Sequence, residues 1–315
     1  MTEAIVIKST GKFYTIRDVE SSEVYTSNIR GKFRTQGLKL TNPVAVGDRV
    51  VYEMQADGVA MITKIQPRTN YVVRQSPRKK HYLHLLASNI DQAIVVVTIV
   101  EPNLKQGFID RFLLMTEPYD IPVHIVFNKH DLYEEKELAM YDFLSSIYAK
   151  IGYTTLLTST ESGEGLDSLR ALVNGKMTLI SGQSGVGKSS IINSLVPTLD
   201  ISTKYISDYS GKGQHTTTFA EMHDLPDGGQ IIDTPGIKTL SYNHFEVMDV
   251  AHNFREFFIL SDSCKYNNCT HREEPKCAVK EAIEEGSVSE LRYFNYLQII
   301  VDIENQNYWE RIKEY

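Results

Sequence analysis

The chain has 315 residues, of which 42% are hydrophobic and 23% charged, and its formal net charge is −7. This composition is ordinary for a globular protein, and the length allows two or three domains. No window approaches the ~18 uninterrupted apolar residues of a membrane span, and the N-terminus lacks the basic head and apolar core of a signal peptide. We therefore expect no membrane association and a cytoplasmic location.

Short runs rich in β-branched and aromatic residues fill the chain up to about residue 67. They read EAIVIKS, FYTIRD, EVYTSNIRG, RVVYEMQ and VAMITKIQ, with Gly, Asn and Asp at the breaks. Their spacing of about ten residues is typical of a small antiparallel barrel or sandwich. Five strands in some seventy residues match the size of an OB-fold, which often binds nucleic acid. We assign residues 1–70 to an OB-fold RNA-binding domain.

The N-terminal part of the chain is basic, whereas the rest is acidic. Residues 1–82 contain 14 Lys and Arg against 7 Asp and Glu. Because the whole chain is negatively charged, the remaining residues must have an excess of Asp and Glu over Lys and Arg. A basic third on an acidic body indicates a module that binds a polyanion, although a solvated basic face is the plainer interpretation. Residues 71–86 are predicted to be a basic linker or arm, and its candidate contacts are Arg74, Arg78, Lys79 and Lys80.

From residue 87 the pattern changes to alternating strands and helices. DQAIVVVTIV is a continuous apolar run, as expected of a strand buried on both faces. The runs IPVHIVF, YTTLLTST and MTLISG alternate with helical patterns, and this alternation predicts a doubly wound α/β domain with a parallel sheet. Such sheets bind nucleotides at the carboxyl ends of their strands. We assign residues 87–245 to this domain.

A phosphate-binding loop follows the strand MTLIS and opens the helix KSSIINSLV. Its glycines let successive backbone N–H groups face phosphate oxygens. Lys188 is placed to reach the β- and γ-phosphates, and the Ser189 hydroxyl to bind Mg²⁺. The predicted nucleotide-binding residues here are Gly182, Gln183, Ser184, Gly185, Val186, Gly187, Lys188, Ser189 and Ser190.

Two further segments have the order and spacing of nucleotide-dependent switches. In QIIDTPG, Asp233 suits an aspartate that holds Mg²⁺ through water, and the Gly236 amide could meet the γ-phosphate. Between this segment and the phosphate loop lies GKGQHTTT, a polar loop with three threonines. Thr217 is our choice for Mg²⁺, with Thr216 and Thr218 as alternatives.

The tetrapeptide NKHD, at the end of IPVHIVF, has the pattern of a guanine-reading loop. Asp131 can accept two hydrogen bonds from guanine, and adenine would leave its carboxylate unpaired. We expect Asn128 to touch the base edge and tie the loop to the phosphate loop, the Lys129 stem to pack over the ring, and His130 to complete the site. In LTSTESGEGL, Ser159 and Thr160 offer backbone amides to the guanine oxygen.

These segments come in an unusual order along the chain. The base reader precedes the phosphate loop, whereas it normally comes late in a guanine-nucleotide enzyme. A doubly wound sheet tolerates such a rearrangement because it is built from spatial neighbours. The sequence therefore predicts a circularly permuted GTPase domain.

All three cysteines lie in one short C-terminal segment, CKYNNCTHREEPKC. Cys264, Cys269, His271 and Cys277 have the chemistry of a closed Cys₃His site, which predicts one structural zinc ion. Two helices should follow, the first closed by Gly286 and the second opened by Ser287 with Glu290 as a capping box. We assign residues 246–315 to a helical zinc-binding domain that contacts RNA or protein.

The motifs NKHD, TSTESGEGL, GQSGVGKSS, GQHTTT and DTPG occur in that order between a β-module and a Cys/His cluster. Together with RGKFR and VGDRVVYE in the β-module, they resemble the RsgA (YjeQ) family of circularly permuted GTPases. The resemblance implies a monomeric assembly factor of the small ribosomal subunit that hydrolyses GTP to GDP when stimulated by that subunit. It makes rRNA the expected polyanion and adds Arg30, Lys32 and Arg34 as RNA contacts.

The resemblance also bears on catalysis. Ile237 occupies the position where Ras-type enzymes place the glutamine that orients water, and it cannot do so. The family places the substitute at His215, whose neutral imidazole can accept a hydrogen bond from water. Two other functions stay open: a GTPase switch that regulates a protein partner without RNA, which would not need the basic N-terminal third, and a non-enzymatic RNA-binding module, which would show no turnover.

Overall fold

A computed structural model describes residues 2–11, 13–30, 40–75, 83–199, 201, 220–234 and 245–313. His215, Thr216, Thr217, Thr218 and Gly236, to which the sequence assigns or offers catalytic, magnesium and phosphate roles, lie outside these residues. Within the described ranges, no helix is both long enough and apolar enough to cross a membrane.

Five strands near the N-terminus form a closed barrel. They are β1 (Thr2–Ser9), β2 (Tyr14–Asp18), β3 (Val24–Ile29), β4 (Arg49–Met54) and β5 (Ala60–Ile65). Strands β1, β2 and β3 form an antiparallel meander, and β4 pairs antiparallel with β5. The barrel closes through β1–β4 and through a parallel β3–β5 pairing. Every second residue points inward, so Val6, Ile16 and Ile62 are fully buried. The predicted five-stranded barrel is confirmed.

The segment predicted as a basic linker or arm is instead built around a hairpin. Strands β6 (Tyr71–Gln75) and β7 (Leu83–Ser88) pair antiparallel in a separate two-stranded sheet. Apolar residues alternate along both strands: Val73 and Leu85 pack with Ala45, while Val72 and Leu86 join the main core. This burial fixes the two strands, which a solvated linker would not require. Arg78, Lys79 and Lys80 lie outside the described residues.

Within the described residues, the central α/β domain contains a six-stranded sheet. Its strands are β8 (Gln92–Val97), β9 (Val123–Phe127), β10 (Thr154–Leu157), β11 (Met177–Gly182), β12 (Ala220–Asp224) and β13 (Gln230–Asp233), in the order β10-β9-β8-β11-β13-β12. All are parallel except β12, which runs antiparallel to β13. Along the chain, β8, β9 and β10 come before β11, which then pairs with the other side of β8. This topology agrees with the predicted permutation.

Helices cover both faces of this sheet. α3 (Leu166–Val173) and α4 (Lys188–Leu195) pack on one face against Ile94, Val96 and Ile180. α1 (Phe108–Thr116) and α2 (Glu135–Lys150) join a larger core with Val95 and Ile125, which point to the other face. Because both faces are covered, all six residues of β8 are buried.

Four C-terminal helices share that larger core: α5 (Val247–His252), α6 (Arg255–Ser261), α7 (Ala278–Glu284) and α8 (Glu290–Lys313). On α8, the fully buried Arg292 lies 2.6 Å from Asp110 of α1 and 2.8 Å from Glu256 of α6. The expected start of α8 at Ser287 is wrong. The Ser287 hydroxyl donates to the Ala282 carbonyl over 3.0 Å, so it satisfies the end of α7.

The barrel and the α/β sheet are joined edge to edge. Strand β1 pairs antiparallel with β12, with Lys8 opposite Glu221 and Ser9 opposite Ala220. Lys8 and Glu221 form an ion pair at 2.8 Å, and Arg17 of β2 forms another with Asp224. Part of the N-terminal basic excess is therefore neutralised by acidic side chains of β12.

Candidate nucleotide site and metal centre

The phosphate loop connects β11 to α4, and its backbone leaves no room for larger residues. A Cβ at Gly182 would lie 2.5 Å from the Val96 carbonyl oxygen. Gly185 and Gly187 have φ of +88° and +86°, a region that side chains rarely adopt. Lys188 is the first residue of α4, so the free N–H groups of the first helical turn, at Ser189 and Ser190, lie at the loop.

Lys188 and Asp233 meet at the centre of the predicted phosphate and magnesium site. Lys188 Nζ forms an ion pair with Asp233 Oδ1, and both side chains are almost fully buried. Asp233 ends β13, the strand next to β11, so sheet order accounts for their proximity. The next residue, Thr234, donates from its hydroxyl to the Ile180 carbonyl at 3.1 Å. Two residues assigned to phosphate and Mg²⁺ are thus brought together.

Asn128 links the base-reading loop to the phosphate loop. It follows β9, is fully buried, and donates from Nδ2 to the Val186 carbonyl at 2.9 Å. Thr158 donates from its hydroxyl to Asn128 Oδ1 at 3.1 Å, which fixes the orientation of the amide. A Cβ at Gly187 would lie 2.3 Å from Asn128 Nδ2, so this contact requires glycine. The sequence predicted the contact between the two loops but not the hydrogen bond from Thr158 that orients the Asn128 amide.

Asp131 stands exposed on a short 3₁₀ turn, His130–Leu132, at the mouth of the site. Ser159 donates from its hydroxyl to Asp131 Oδ1 and so orients the carboxylate. The Ser159 amide already donates to the Glu164 carbonyl at 3.0 Å. Among the described residues no acceptor takes the Thr160 amide, which makes Thr160 the better placed of the two predicted donors to guanine.

Contacts to neighbouring loops hold the rest of the base-reading loop. Lys129, with φ of +65°, donates from Nζ to the Glu101 carbonyl. His130 Nδ1 lies 2.6 Å from Glu164 Oε2. The buried Tyr133 donates from its hydroxyl to the Asn128 carbonyl at 2.9 Å and accepts from the Ile99 N–H at 3.0 Å. No motif in the sequence marks Tyr133 as a residue of the site, because an aromatic residue after a strand is usually a core residue.

The four predicted zinc ligands converge in one buried cluster. The ligand atoms of Cys264, Cys269, His271 and Cys277 all lie within 4.8 Å of one another. His271 Nδ1 is 3.4 Å from Cys277 Sγ and 3.7 Å from Cys264 Sγ.

Side chains of α8 fix the backbone around this cluster. Tyr293 donates to the His271 carbonyl and Tyr296 to the Thr270 carbonyl, each at 2.7 Å. The last helix, α8, therefore holds the ligand loop in place.

The chemistry of these donors fits a metal ion. Burial raises the pKa of the Cys269 thiol to about 12 and lowers the pKa of His271. Both shifts favour the neutral forms of these two groups, as expected of buried side chains without a cation beside them. A divalent ion compensates by binding thiolates and a neutral imidazole. The cluster is therefore a candidate metal site that offers three sulfur ligands and one nitrogen ligand.

The structure describes two of the seven predicted RNA contacts, and neither is a free surface cation. Arg30 is exposed and lies 3.1 Å from Glu53. Arg74 is half-buried in the hairpin, burial lowers its pKa, and its Nε has no hydrogen-bond partner among the described residues. The others, Lys32, Arg34, Arg78, Lys79 and Lys80, lie outside the described ranges.

Comparison with known proteins covers almost the whole chain. A family model described as RsgA GTPase matches residues 65–243, and one described as RsgA N-terminal domain matches residues 3–62. A protein of Bacteroides fragilis (strain YCH46), named small ribosomal subunit biogenesis GTPase RsgA, is 46% identical over 97% of this chain and 98% of its own. A protein of the same name from Flavobacterium psychrophilum is 46% identical over 94% of this chain and 91% of its own.

Solved structures give the same result. YjeQ from Thermotoga maritima is 34% identical, with a TM-score of 0.76 over 96% of this chain and 98% of that one. YloQ, described as a circularly permuted GTPase, is 30% identical, with a TM-score of 0.72 over 97% and 96% of the two chains.

Proposed function

The chain belongs to the RsgA GTPase family, and from that premise we propose that it hydrolyses GTP to GDP during late assembly of the small ribosomal subunit. The observation that carries the proposal is the contact of Asn128 with Val186, which joins a guanine-reading loop to a phosphate loop in one site. The names of the relatives supply the ribosomal partner.

Each part of the site has a role in binding GTP. Asp131, oriented by Ser159, accepts hydrogen bonds from the guanine ring N–H and amine, while Thr160 donates its amide to the guanine oxygen. Lys188 leaves Asp233 to meet the β- and γ-phosphates, and the loop amides cradle the phosphates. The residues we assign to the nucleotide are Asn128, Lys129, His130, Asp131, Ser159, Thr160, 182–190, Asp233 and Gly236.

We assign Mg²⁺ binding to Ser189, Thr217 and, through water, Asp233. When bound with GTP, the ion neutralises charge that develops on the phosphate oxygens. For the Cys₃His site we propose zinc in a structural role, because all four positions around the ion would be taken by protein ligands.

His215 is our candidate for orienting the attacking water, because Ile237 cannot. We infer that docking on the small subunit places His215 for this role, which would account for stimulation by that subunit.

We propose that the barrel (1–70) and the basic segment within 71–86 contact rRNA, through Arg30, Lys32, Arg34, Arg74, Arg78, Lys79 and Lys80. The GTPase domain (87–245) carries the nucleotide, and the metal-bearing helices (246–315) supply a second anchor. The protein acts as a cytoplasmic monomer.

Nucleotide selectivity tests this proposal at its base. We expect fluorescent GTP and GDP to bind with Mg²⁺ and to be displaced by guanine nucleotides, but not by equal concentrations of ATP or ADP. Steady-state release of phosphate from GTP should accompany binding. Equal affinity for adenine and guanine nucleotides, or binding without any turnover, would overturn the assignment.

A further inference from the structure

We propose that Tyr133 is a positioning residue for guanine recognition, whose hydroxyl holds the base-reading loop to the loop after β8. This inference rests on the proposed function, because it assumes that Asn128 and Asp131 read guanine. It adds a residue outside the NKHD motif, which ties the base-reading loop to the end of β8, the strand between β9 and β11.

The Tyr133 hydroxyl is fully engaged at the ends of two neighbouring strands. It donates to the carbonyl of Asn128, directly after β9, and accepts from the N–H of Ile99, two residues after β8. Burial raises the pKa of Tyr133 to about 12, so the hydroxyl stays a neutral donor at physiological pH. The backbone N–H of Asn128 also donates to the Val97 carbonyl at 2.8 Å. Asn128 is thus fixed to the β8 end through both of its backbone polar groups.

A second contact holds the loop from the opposite side. His130 Nδ1 lies 2.6 Å from Glu164 Oε2, on the loop after β10. The rings of His130 and Tyr133 are in edge contact, with centroids 6.1 Å apart. Asp131, which is exposed and must meet guanine at hydrogen-bond distance, lies in the sequence between His130 and Tyr133.

This arrangement should matter for selectivity as well as for stability. A binding group has to be held within about 0.5 Å of its productive position to discriminate between ligands. Loss of the Tyr133 hydroxyl leaves the Asn128 carbonyl and the Ile99 N–H without their partner. The loop then gains freedom at the residues that read the base.

A plain structural role predicts something different. A buried hydroxyl needs partners wherever it lies, so its loss would lower stability without affecting the nucleotide. Tyr148 provides a matched control. It is also buried, 2% exposed against 9% for Tyr133, its hydroxyl donates to Asp110 at 2.8 Å, and it lies on α2, outside the nucleotide site.

The experiment compares Tyr133→Phe, Tyr148→Phe and Glu164→Ala with the wild type. It measures dissociation of fluorescent GDP, the affinity ratio of GDP to ADP and the thermal midpoint. Tyr133→Phe should release GDP about tenfold faster and lower the GDP:ADP affinity ratio. Glu164→Ala should release GDP about threefold faster with no loss of midpoint, because its side chain is exposed. Tyr148→Phe should lower the midpoint and leave release within about twofold.

The proposal is overturned if Tyr133→Phe releases GDP at the wild-type rate, or if both tyrosine variants accelerate release equally. If Tyr133→Phe folds poorly, the rate of GDP release from Glu164→Ala decides instead. A wild-type rate in that variant would overturn the proposal. A wild-type protein without guanine selectivity would overturn the proposed function itself, which distinguishes the two failures.

Discussion

Asn128 and Val186 lie 58 positions apart in the chain, and the side chain of one donates to the backbone carbonyl of the other over 2.9 Å. This contact requires only that the ends of β9 and β11 flank β8 in the sheet. It does not depend on which strand the chain forms first. A guanine site can therefore be assembled with its base reader ahead of its phosphate loop.

The first prediction concerns the base. Asp131→Asn should lower GTP affinity by about 10²-fold or more and shift preference towards xanthosine triphosphate, whose ring carries an oxygen in place of the guanine amine. Competition binding with both nucleotides measures the shift. Asp142→Asn, an exposed acid on α2, should change neither affinity. Full GTP affinity in Asp131→Asn would show that NKHD does not read the base.

The features that could be predicted from the sequence are those that depend on residues close together in the chain. The strands β1 to β5 and β8 to β11, the helices α1 to α4 and the phosphate loop follow from periodicity and from glycine, and the four candidate metal ligands from their clustering. The β1–β12 junction and the Arg292 contacts to Asp110 and Glu256 join distant segments. Nothing in either segment alone indicates its partner.

The charge prediction shows the same limit. The N-terminal basic excess is real, but ion pairs with Glu221, Asp224 and Asp48 engage Lys8, Arg17 and Arg68. A count of charged residues cannot show such pairs, because it contains no information on which side chains are in contact.

The second prediction concerns the join between the GTPase core and α8. Arg292→Met keeps side-chain bulk but leaves the buried Asp110 and the mostly buried Glu256 unpaired. We expect the free energy of unfolding to fall by about 3–5 kcal/mol in urea denaturation. Arg170→Met is the control, because its pair with Asp167 is solvent-exposed and should contribute at most about 1 kcal/mol. An equal loss of unfolding free energy in both variants would show that the buried ion pairs stabilise the fold no more than the exposed pair does.

The third prediction concerns the metal. Elemental analysis should find one zinc ion per chain, and Cys269→Ser should reduce it to about none, because a closed site that loses one of four ligands binds far more weakly. Chelation of the wild type should reduce helix content by circular dichroism. Ser263→Ala, beside Cys264 but not a ligand, should retain its zinc. Stoichiometric zinc in Cys269→Ser would exclude the assigned ligand set.

The fourth prediction concerns RNA. Replacing Arg78, Lys79 and Lys80 with Gln should weaken small-subunit binding and flatten the dependence of log affinity on log salt by up to about three units, since each phosphate contact releases counterions. GTP affinity should stay unchanged. The matched triple variant Lys105→Gln, Lys136→Gln, Lys150→Gln removes the same charge from exposed positions of the GTPase domain and should leave the slope unchanged. If the two triple variants behave alike, the basic segment has no specific role.

The most direct test of the account is GTP turnover with and without purified small ribosomal subunits. We predict that subunits accelerate hydrolysis by the wild type. We also predict that His215→Ala binds GTP normally while its stimulated rate falls by about 10²-fold or more, because only the transition state needs the imidazole. A wild-type rate that is the same in the presence and absence of subunits would contradict the assignment of this protein as a ribosome-coupled GTPase.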